Sequence, residues 1–321
     1  MNQIIRTLKE SDDFILLPHA RIDGDALGSC LALARALRML QKRVFIEFEE
    51  EIPRKFTFML DEDFDVPPGF VPRVVAALDC GGSNMLGERE EKYKGKIDLA
   101  IDHHISHTEF AGYSLIVPTA AAACEIVYDI ILALGLQIDK KMARDLFVGI
   151  ISDTGCFKFS NTTPKTFRIG AHLTEIYGSF YKINFDLLDV KSIAQIKLER
   201  EVLETLEFNR NGQIASIIID GHANKNGEDT DMFPQIPRRI EGVLVGITYK
   251  EQEKNVWRIS LRGSEAIDVS MVCALFGGGG HKRAAGATLT GSIKEVKERI
   301  LAAVNSALDE SDQNGRNTQH K

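Results

Sequence analysis

Cysteine is scarce and scattered in this 321-residue chain. Cys30, Cys80, Cys124, Cys156 and Cys273 are odd in number and form no CxxC pair. That excludes a disulfide framework and a zinc ribbon, and it fits a reducing compartment. No apolar stretch reaches the length of a membrane span: the richest, Ala120 to Leu136, contains Glu125 and Asp129. The N-terminus, MNQIIRTLKESDDF, carries charges throughout and has no apolar core, so it is not read as a signal peptide. A cytoplasmic protein is expected. An excess of positive charge is missing as well: 39 Lys and Arg against 46 Asp and Glu leave −7. A non-specific duplex-DNA or membrane-surface binder carries the opposite sign. Nucleic acid stays open as a substrate, provided metals and a few local cations offset its charge. What is present, 44% hydrophobic and 26% charged residues, is ordinary globular composition, long enough for two domains.

The first half alternates short apolar runs with helical patterns. FILLPH (Phe14–His19), VFIEF (Val44–Phe48), VVAALD (Val74–Asp79), IDLAID (Ile97–Asp102) and SLIV (Ser114–Val117) read as five strands. Helical spacing marks Ala26–Leu40, Ala120–Leu134 and Asp139–Ile151. Interleaved strands and helices predict an α/β fold with a mostly parallel five-stranded sheet flanked by helices. Beyond Asp189 the character changes. Ser192–Glu207 reads as a charged connecting helix, and QIASIIID, GVLVGITYKE and NVWRISLRG are β-branched segments of a second, smaller mixed-sheet α/β domain. Gly277–His281 precedes another strand candidate, and Ile293–Leu308 is the last helix. The expected division is residues 1–189, a connector over 190–208, a second domain over 209–310 and a polar, frayed tail over 311–321.

Four acid-bearing turns stand out. They are His19-Ala-Arg-Ile-Asp23-Gly-Asp25, Leu78-Asp79, Asp102-His103-His104 and Ser152-Asp153-Thr154-Gly155. Taken singly, a strand-end Asp is commonly a helix cap or turn former. Together they are harder to assign to structure alone, since ligands in open α/β sheets bind beyond the carboxyl ends of the strands. Asp23, Asp25, Asp79 and Asp153 in one cleft could not stay ionised unless cations shared it. Two divalent ions balance those four charges. Mixed carboxylate and imidazole ligands suit Mn²⁺, with Mg²⁺ or Co²⁺ as competitors. The run Gly277–Gly280 followed by His281, Lys282 and Arg283 has no Walker A spacing. It offers consecutive unobstructed N–H groups, a candidate phosphate nest, and Arg262 is a candidate for a bidentate phosphate contact.

These segments resemble the DHH phosphoesterases. HARIDGDALGS is similar to their first motif, LDCG to the second, IDHHISH to the third and GIISDTGCFKFSNTTP to the fourth. ISLRGSEAIDVS and FGGGGHKRAAGA resemble the Ser-x-Arg strand and Gly-Gly-Gly-His signature of their DHH-associated C-terminal domain. Length and layout resemble the short-oligonucleotide phosphodiesterases, or nano-RNases, of that family. The resemblance implies one metal held by His19, Asp23 and a bridging Asp79, and a second held by Asp25, Asp79, His103 and Asp153. It implies that Asp102 orients His103, and that His104 faces the scissile phosphate. Arg262, Gly278, Gly279, Gly280, His281 and Arg283 are the implied substrate-binding residues. The implied reaction is hydrolysis of RNA dinucleotides and slightly longer oligomers to nucleoside 5′-monophosphates, with 3′-phosphoadenosine-5′-phosphate as a further substrate. Long duplexes and membranes are not expected partners, and a homodimer is compatible with the sequence. Related members cleave cyclic di-AMP or pApA. A RecJ-like exonuclease shares the first-domain motifs but calls for extra nucleic-acid-binding surface. Family II-type pyrophosphatases lack the GGGGH signature. A nucleotide sensor with an inert metal site is the non-enzyme alternative, and the presence of every expected ligand speaks against it.

Overall fold

The structure, a computed structural model, describes residues 1–61, 65–221, 224, 228 and 230–318, the last seven of these as backbone only. The chain divides into two compact units, Met1–Val190 and Lys191–Lys321.

The first unit runs α1 (Asn2–Glu10), β1 (Phe14–Leu17), α2 (Gly24–Met39), β2 (Val44–Ile46), β3 (Val74–Leu78), α3 (Arg89–Tyr93), β4 (Leu99–Asp102), β5 (Tyr113–Ile116), α4 (Ala123–Ala133), α5 (Lys140–Thr154), α6 (Pro164–Tyr177) and α7 (Tyr181–Asn184). The five strands pair in parallel in the order β2-β1-β3-β4-β5. Side chains alternate across the sheet. Phe14 and Leu16 enter the core formed with α2, α4 and α5, while Ile15 and Leu17 enter a smaller cluster with Leu86, Tyr93 and Ile97. The order reverses direction at β1 and β3. At that point the connections leave on opposite sides and open a crevice beyond the strands' carboxyl ends.

Helices α1 and α6 carry signals that periodicity over the central segments did not pick up. On α1 only Ile4 and Leu8, one turn apart, are buried. Thr163 and Thr166 form a capping box ahead of α6, with Pro164 in its first turn.

Glycine lines the contact between helices α2 and α5 and leaves no room there for a side chain. A Cβ on Gly28 would lie 2.3 Å from the Asp145 carbonyl oxygen, and one on Gly149 would lie 2.2 Å from Cys124 Sγ and 2.7 Å from Asp25 Oδ1. A buried charge network locks the same interface. Arg35 Nε donates to Asp145 Oδ2 at 2.7 Å, and Arg144 holds the other oxygen of Asp145 at 2.8 Å.

The second unit comprises α8 (Ile193–Leu203), β6 (Glu207–Asn209), β7 (Ile214–Ile219), α9 (Gln235–Arg238), β8 (Val245–Glu253), β9 (Val256–Gly263), α10 (Val269–Ala274), β10 (Gly279–His281), β11 (Ala284–Thr290) and α11 (Ile293–Thr318). Its six-stranded sheet has the order β10-β11-β9-β8-β7-β6, mixed because β7 and β8 are parallel. Trp257, Ile259 and Leu261 of β9 alternate into a core shared with Val296, Ile300 and Val304 of α11. Two expectations are corrected. The helix beginning at Ile193 stops at Leu203, because Glu207–Asn209 already pairs with β7. The last helix continues to Thr318 rather than ending near Leu308. Periodicity marks only the buried stripe, whereas helical hydrogen bonding propagates until a breaker intervenes, and no proline follows Leu308.

The α2–α5 contact yields a stability prediction. In Gly28→Ala the added methyl meets main chain that can yield only by moving a helix, so a loss of about 1–3 kcal/mol is expected. A lowered urea midpoint with an unchanged m-value is the readout.

Candidate metal centre

The crevice at β1 and β3 collects the acid-bearing turns. His19 follows β1 in a loop braced by buried Arg89, whose Nη2 donates to the Pro18 carbonyl at 2.7 Å. Asp23 caps α2: its Oδ1 accepts from the N–H groups of Asp25 and Ala26, both at 3.0 Å. Its other oxygen lies 3.5 Å from His19 Nε2. The capping role and the place in the crevice therefore coexist in one carboxylate. Asp25, fully buried, accepts from the N–H groups of Ala123 (2.5 Å) and Cys124 (2.9 Å) at the start of α4. The dipole of that helix end favours the negative charge. Asp79 sits immediately past β3 with φ of 57°, a left-handed turn that aspartate tolerates better than most residues. Asp153 lies in the last turn of α5. Asn161 ties this turn to the α4 approach, its Nδ2 donating to both the Asp153 and Ala121 carbonyls at 3.0 Å.

The side chains converge in interlocking groups. His19, Asp23 and Asp79 form one, with Asp79 Oδ2 3.6 Å from His19 Nε2. Asp25, His103 and Asp153 form another, with His103 Nε2 3.2 Å from Asp153 Oδ2 and 3.9 Å from Asp25 Oδ2. Asp79 reaches this group through its second oxygen, Oδ1, 3.4 Å from His103 Nε2. One carboxylate thus faces both groups, one oxygen to each. A third combination adds His104 to Asp79 and His103. There the imidazole Nδ1 is already committed to Asp102 Oδ1 at 2.6 Å, against 3.7 Å to Asp79.

The donor set fits divalent cations. Asp79 Oδ1 and His103 Nε2 are buried and have no hydrogen-bond partner among the described residues. Such orphaned atoms are costly unless something else pairs with them. Donors bound at about 2.1 Å to a shared ion sit about 3 Å apart, close to the separations seen here. The electrostatics agree. Burial, with Asp25 next to it, pushes Asp79 well above the carboxylate range. Burial likewise raises Asp25, and raises Asp153 to about 7. Burial alone would lower the His103 imidazole, but Asp153 and Asp79 push it up to about 12. Metal-free, the cluster holds protons in place of cations.

One expected contact is corrected. Asp102 does not orient His103; it holds His104 through Oδ1 and His107 through Oδ2, the latter at 2.7 Å. Successive side chains at a strand end point to opposite sides, so Asp102 shares its side with His104 while His103 turns toward Asp79. His103 Nδ1 instead meets the Ala120 carbonyl at 3.3 Å. His107 ends the IDHHISH segment, and nothing in the sequence marks its contact with Asp102. Nothing in the sequence marked the Ala120–Cys124 backbone as a scaffold for Asp25 and His103.

In the second unit, Arg262 lies on β9 opposite Gly246 of β8 and Ala284 of β11. Its Nη1 donates to the Leu261 carbonyl, and its buried Nε has no hydrogen-bond partner among the described residues. The glycine run is not a nest. The N–H groups of Gly277 and Gly278 already donate to the Ala274 and Cys273 carbonyls at the end of α10, and Gly279–His281 is an edge strand paired antiparallel with β11. Close approach explains two of its glycines: a Cβ on Gly278 would lie 2.2 Å from the Gly286 oxygen, and one on Gly280 2.6 Å from the Ala284 oxygen. Gly279 faces open space. Arg283 donates to the Ser264 carbonyl, bracing the turn after β9. No helix among the described residues is long and apolar enough to cross a membrane.

A carboxylate-rich, histidine-bearing crevice on a parallel sheet defines the first unit as the centre of a metal-dependent hydrolase. Residues 13–150 match the DHH family, N-terminal domain, and residues 211–310 match the DHHA1 domain. The bifunctional oligoribonuclease and PAP phosphatase NrnA of Thermus thermophilus is 32% identical over 295 residues, covering 90% of this chain and 88% of that protein. The protein of the same name from Bacillus subtilis is 26% identical over 317 residues, covering 96% and 98%. Among solved structures, an exopolyphosphatase-related protein from Bacteroides fragilis superimposes with a TM-score of 0.87 at 20% identity, covering 97% of both chains. The chain belongs to the DHH family of metal-dependent phosphoesterases, and is a hydrolase of phosphoester bonds.

The proton-holding cluster sets a pH dependence. Between the ordinary carboxylate value and about 7, metal-free folded protein binds more protons at Asp153 than the unfolded chain does. Asp25 and Asp79 act in the same sense. Stability without metal therefore falls as pH rises through that window. The raised His103 adds to the trend, its contribution being complete below its ordinary value of 6.5 and lost as pH climbs toward 12. Cations replace those protons, so the gain in Tm on adding Mn²⁺ should be larger at pH 8 than at pH 5.5. Differential scanning fluorimetry at the two pH values, with and without chelator, checks this.

Proposed function

We propose that this protein hydrolyses short RNA oligomers, from dinucleotides to a few nucleotides, to nucleoside 5′-monophosphates, and also removes the 3′-phosphate of 3′-phosphoadenosine-5′-phosphate. The observation that carries the reading is Asp79, which faces the His19–Asp23 group with one oxygen and the His103 group with the other. The names borne by the Thermus and Bacillus relatives, over nearly the full length of both chains, support the substrate class. His19, Asp23 and Asp79 hold one divalent cation and Asp25, Asp79, His103 and Asp153 a second, with Mn²⁺ the preferred ion for this mixed donor set. Bound there, the cations supply Lewis acidity toward phosphoryl oxygen and lower the pKa of water. The five unpaired thiols suit a reducing cytoplasm.

The protein's own groups do the rest. Asp102 accepts a hydrogen bond from His104 Nδ1, so any contact from that ring to substrate is made through Nε2, at the phosphate where charge builds up. Residues 1–189 carry the chemistry and residues 209–310, joined through 190–208, bind the substrate. Arg262, whose Nε–H has no acceptor among the described residues, supplies a charge-assisted hydrogen bond to a phosphate. The outward edge of Gly278–His281, with Arg283 beside it, receives the rest of the nucleotide. A domain that grips one end of a substrate limits its length.

Asp79→Ala should bind fewer than two Mn²⁺ per chain by metal analysis and lose more activity than His19→Ala. Two ions still bound would overturn the bridging role. Arg262→Ala should keep its metals while kcat/KM on a dinucleotide drops roughly ten- to a hundredfold, the value of a charged hydrogen bond. The loss should be smaller on an activated aryl phosphodiester, which has no second nucleotide to hold. Wild-type protein should prefer the dinucleotide to a 24-mer; the opposite preference points to an exonuclease of long strands.

A further inference from the structure

The geometry points to His107 as a positioning residue for His104, acting through Asp102. The inference rests on the reading of His104 as the group that meets the phosphate. Asp102 is fully buried at the end of β4, and each of its oxygens contacts one imidazole: Oδ1 lies 2.6 Å from His104 Nδ1, and Oδ2 lies 2.7 Å from His107 Nδ1. A carboxylate held at one oxygen can still turn, because the terminal torsion of aspartate is broad and two-fold. Held at both, its plane is set, and with it the tilt of the His104 ring and the tautomer that carries hydrogen on Nδ1.

Packing alone does not account for a histidine at this position. The His107 side chain is 5% exposed, and its Nε2 is buried without a hydrogen-bond partner among the described residues. An apolar ring of similar size would fill the space, beside Phe110 at 5.3 Å between centroids, without burying an unpaired nitrogen. The surrounding turn is built to keep the three groups in register. His107 N–H donates to the His104 carbonyl at 3.2 Å, and Thr108 N–H donates to the Gly81 carbonyl at 2.9 Å. A side chain on Gly81 would crowd the His104 Cβ and Cγ, at 3.2 and 3.3 Å. His107 belongs to none of the grouped donors, so its loss should spare the metals.

The test compares wild type, His104→Ala, His107→Phe, His107→Asn and His107→Gln on a dinucleotide at saturating Mn²⁺, with bound manganese counted for each. Asparagine carries an amide N–H near the place of Nδ1, whereas glutamine carries it near the place of Nε2. His107→Phe should lower kcat about tenfold or more, with KM within about twofold and manganese unchanged. His107→Asn should recover most of kcat and His107→Gln should not. A side chain that merely fills space would show the reverse, with Phe tolerated best. Should His107→Phe fail to fold, the Asn–Gln pair decides. Wild-type kcat in His107→Phe, or no advantage of Asn over Gln, overturns the positioning role while His104→Ala remains impaired. A fully active His104→Ala instead removes the reading of His104 on which the inference stands.

Discussion

Like charges packed into a low-dielectric crevice repel, and everything around this site serves to hold them there. Asp23, Asp25, Asp79 and Asp153 lie around three imidazoles, His19, His103 and His104, at the edge of the first sheet. Left to itself, the cluster relieves the repulsion by taking up protons, as the raised Asp79, Asp25 and Asp153 show. A site that prefers protons when bare is a site that binds divalent cations strongly when they are supplied, because both relieve the same repulsion.

Rigid parts are needed to enforce that arrangement. Main chain places three of the four carboxylates: N–H groups of the first turn of α2 hold Asp23, those at the start of α4 hold Asp25, and a left-handed turn after β3 carries Asp79. The glycines between α2 and α5 matter for the same reason. They let the helix carrying Asp25 pack directly against the helix carrying Asp153, and the Arg35–Asp145–Arg144 network keeps the two in register. Asp102 applies the principle to imidazoles, spending both oxygens on the orientation of two rings.

The second unit treats charge in the opposite way. Arg262 is a partly buried cation whose Nε has no acceptor among the described residues. Its surroundings on the sheet are small residues, Gly246 and Ala284 on the neighbouring strands. Burial lowers its pKa, with Arg258 acting in the same sense. A guanidinium in that setting suits the phosphate contact proposed for it.

Alternating apolar runs and helical spacing were enough to read the parallel sheet, the second mixed sheet and the strand-end acids, because burial imposes a period on sequence. The motifs located His19, Asp23, Asp25, Asp79, His103 and Asp153, since each sits where a strand or helix terminates and the chain must change direction. Three things lay beyond that reading. The partner of Asp102 is decided by which side of the strand end each side chain takes, a fact of backbone geometry that composition does not carry. The glycine run looks the same in sequence whether it cradles a phosphate or packs as a strand; only the approach of Ala284–Gly286 makes it an edge strand. The support given by Ala120, Ala123 and Cys124 comes from their carbonyl and N–H groups, which every residue has, so no sequence could announce it. Side-chain chemistry was legible in the order of residues, whereas the use of main chain and the pairing of neighbours were settled by the tertiary structure, because they depend on what distant segments bring within hydrogen-bond reach.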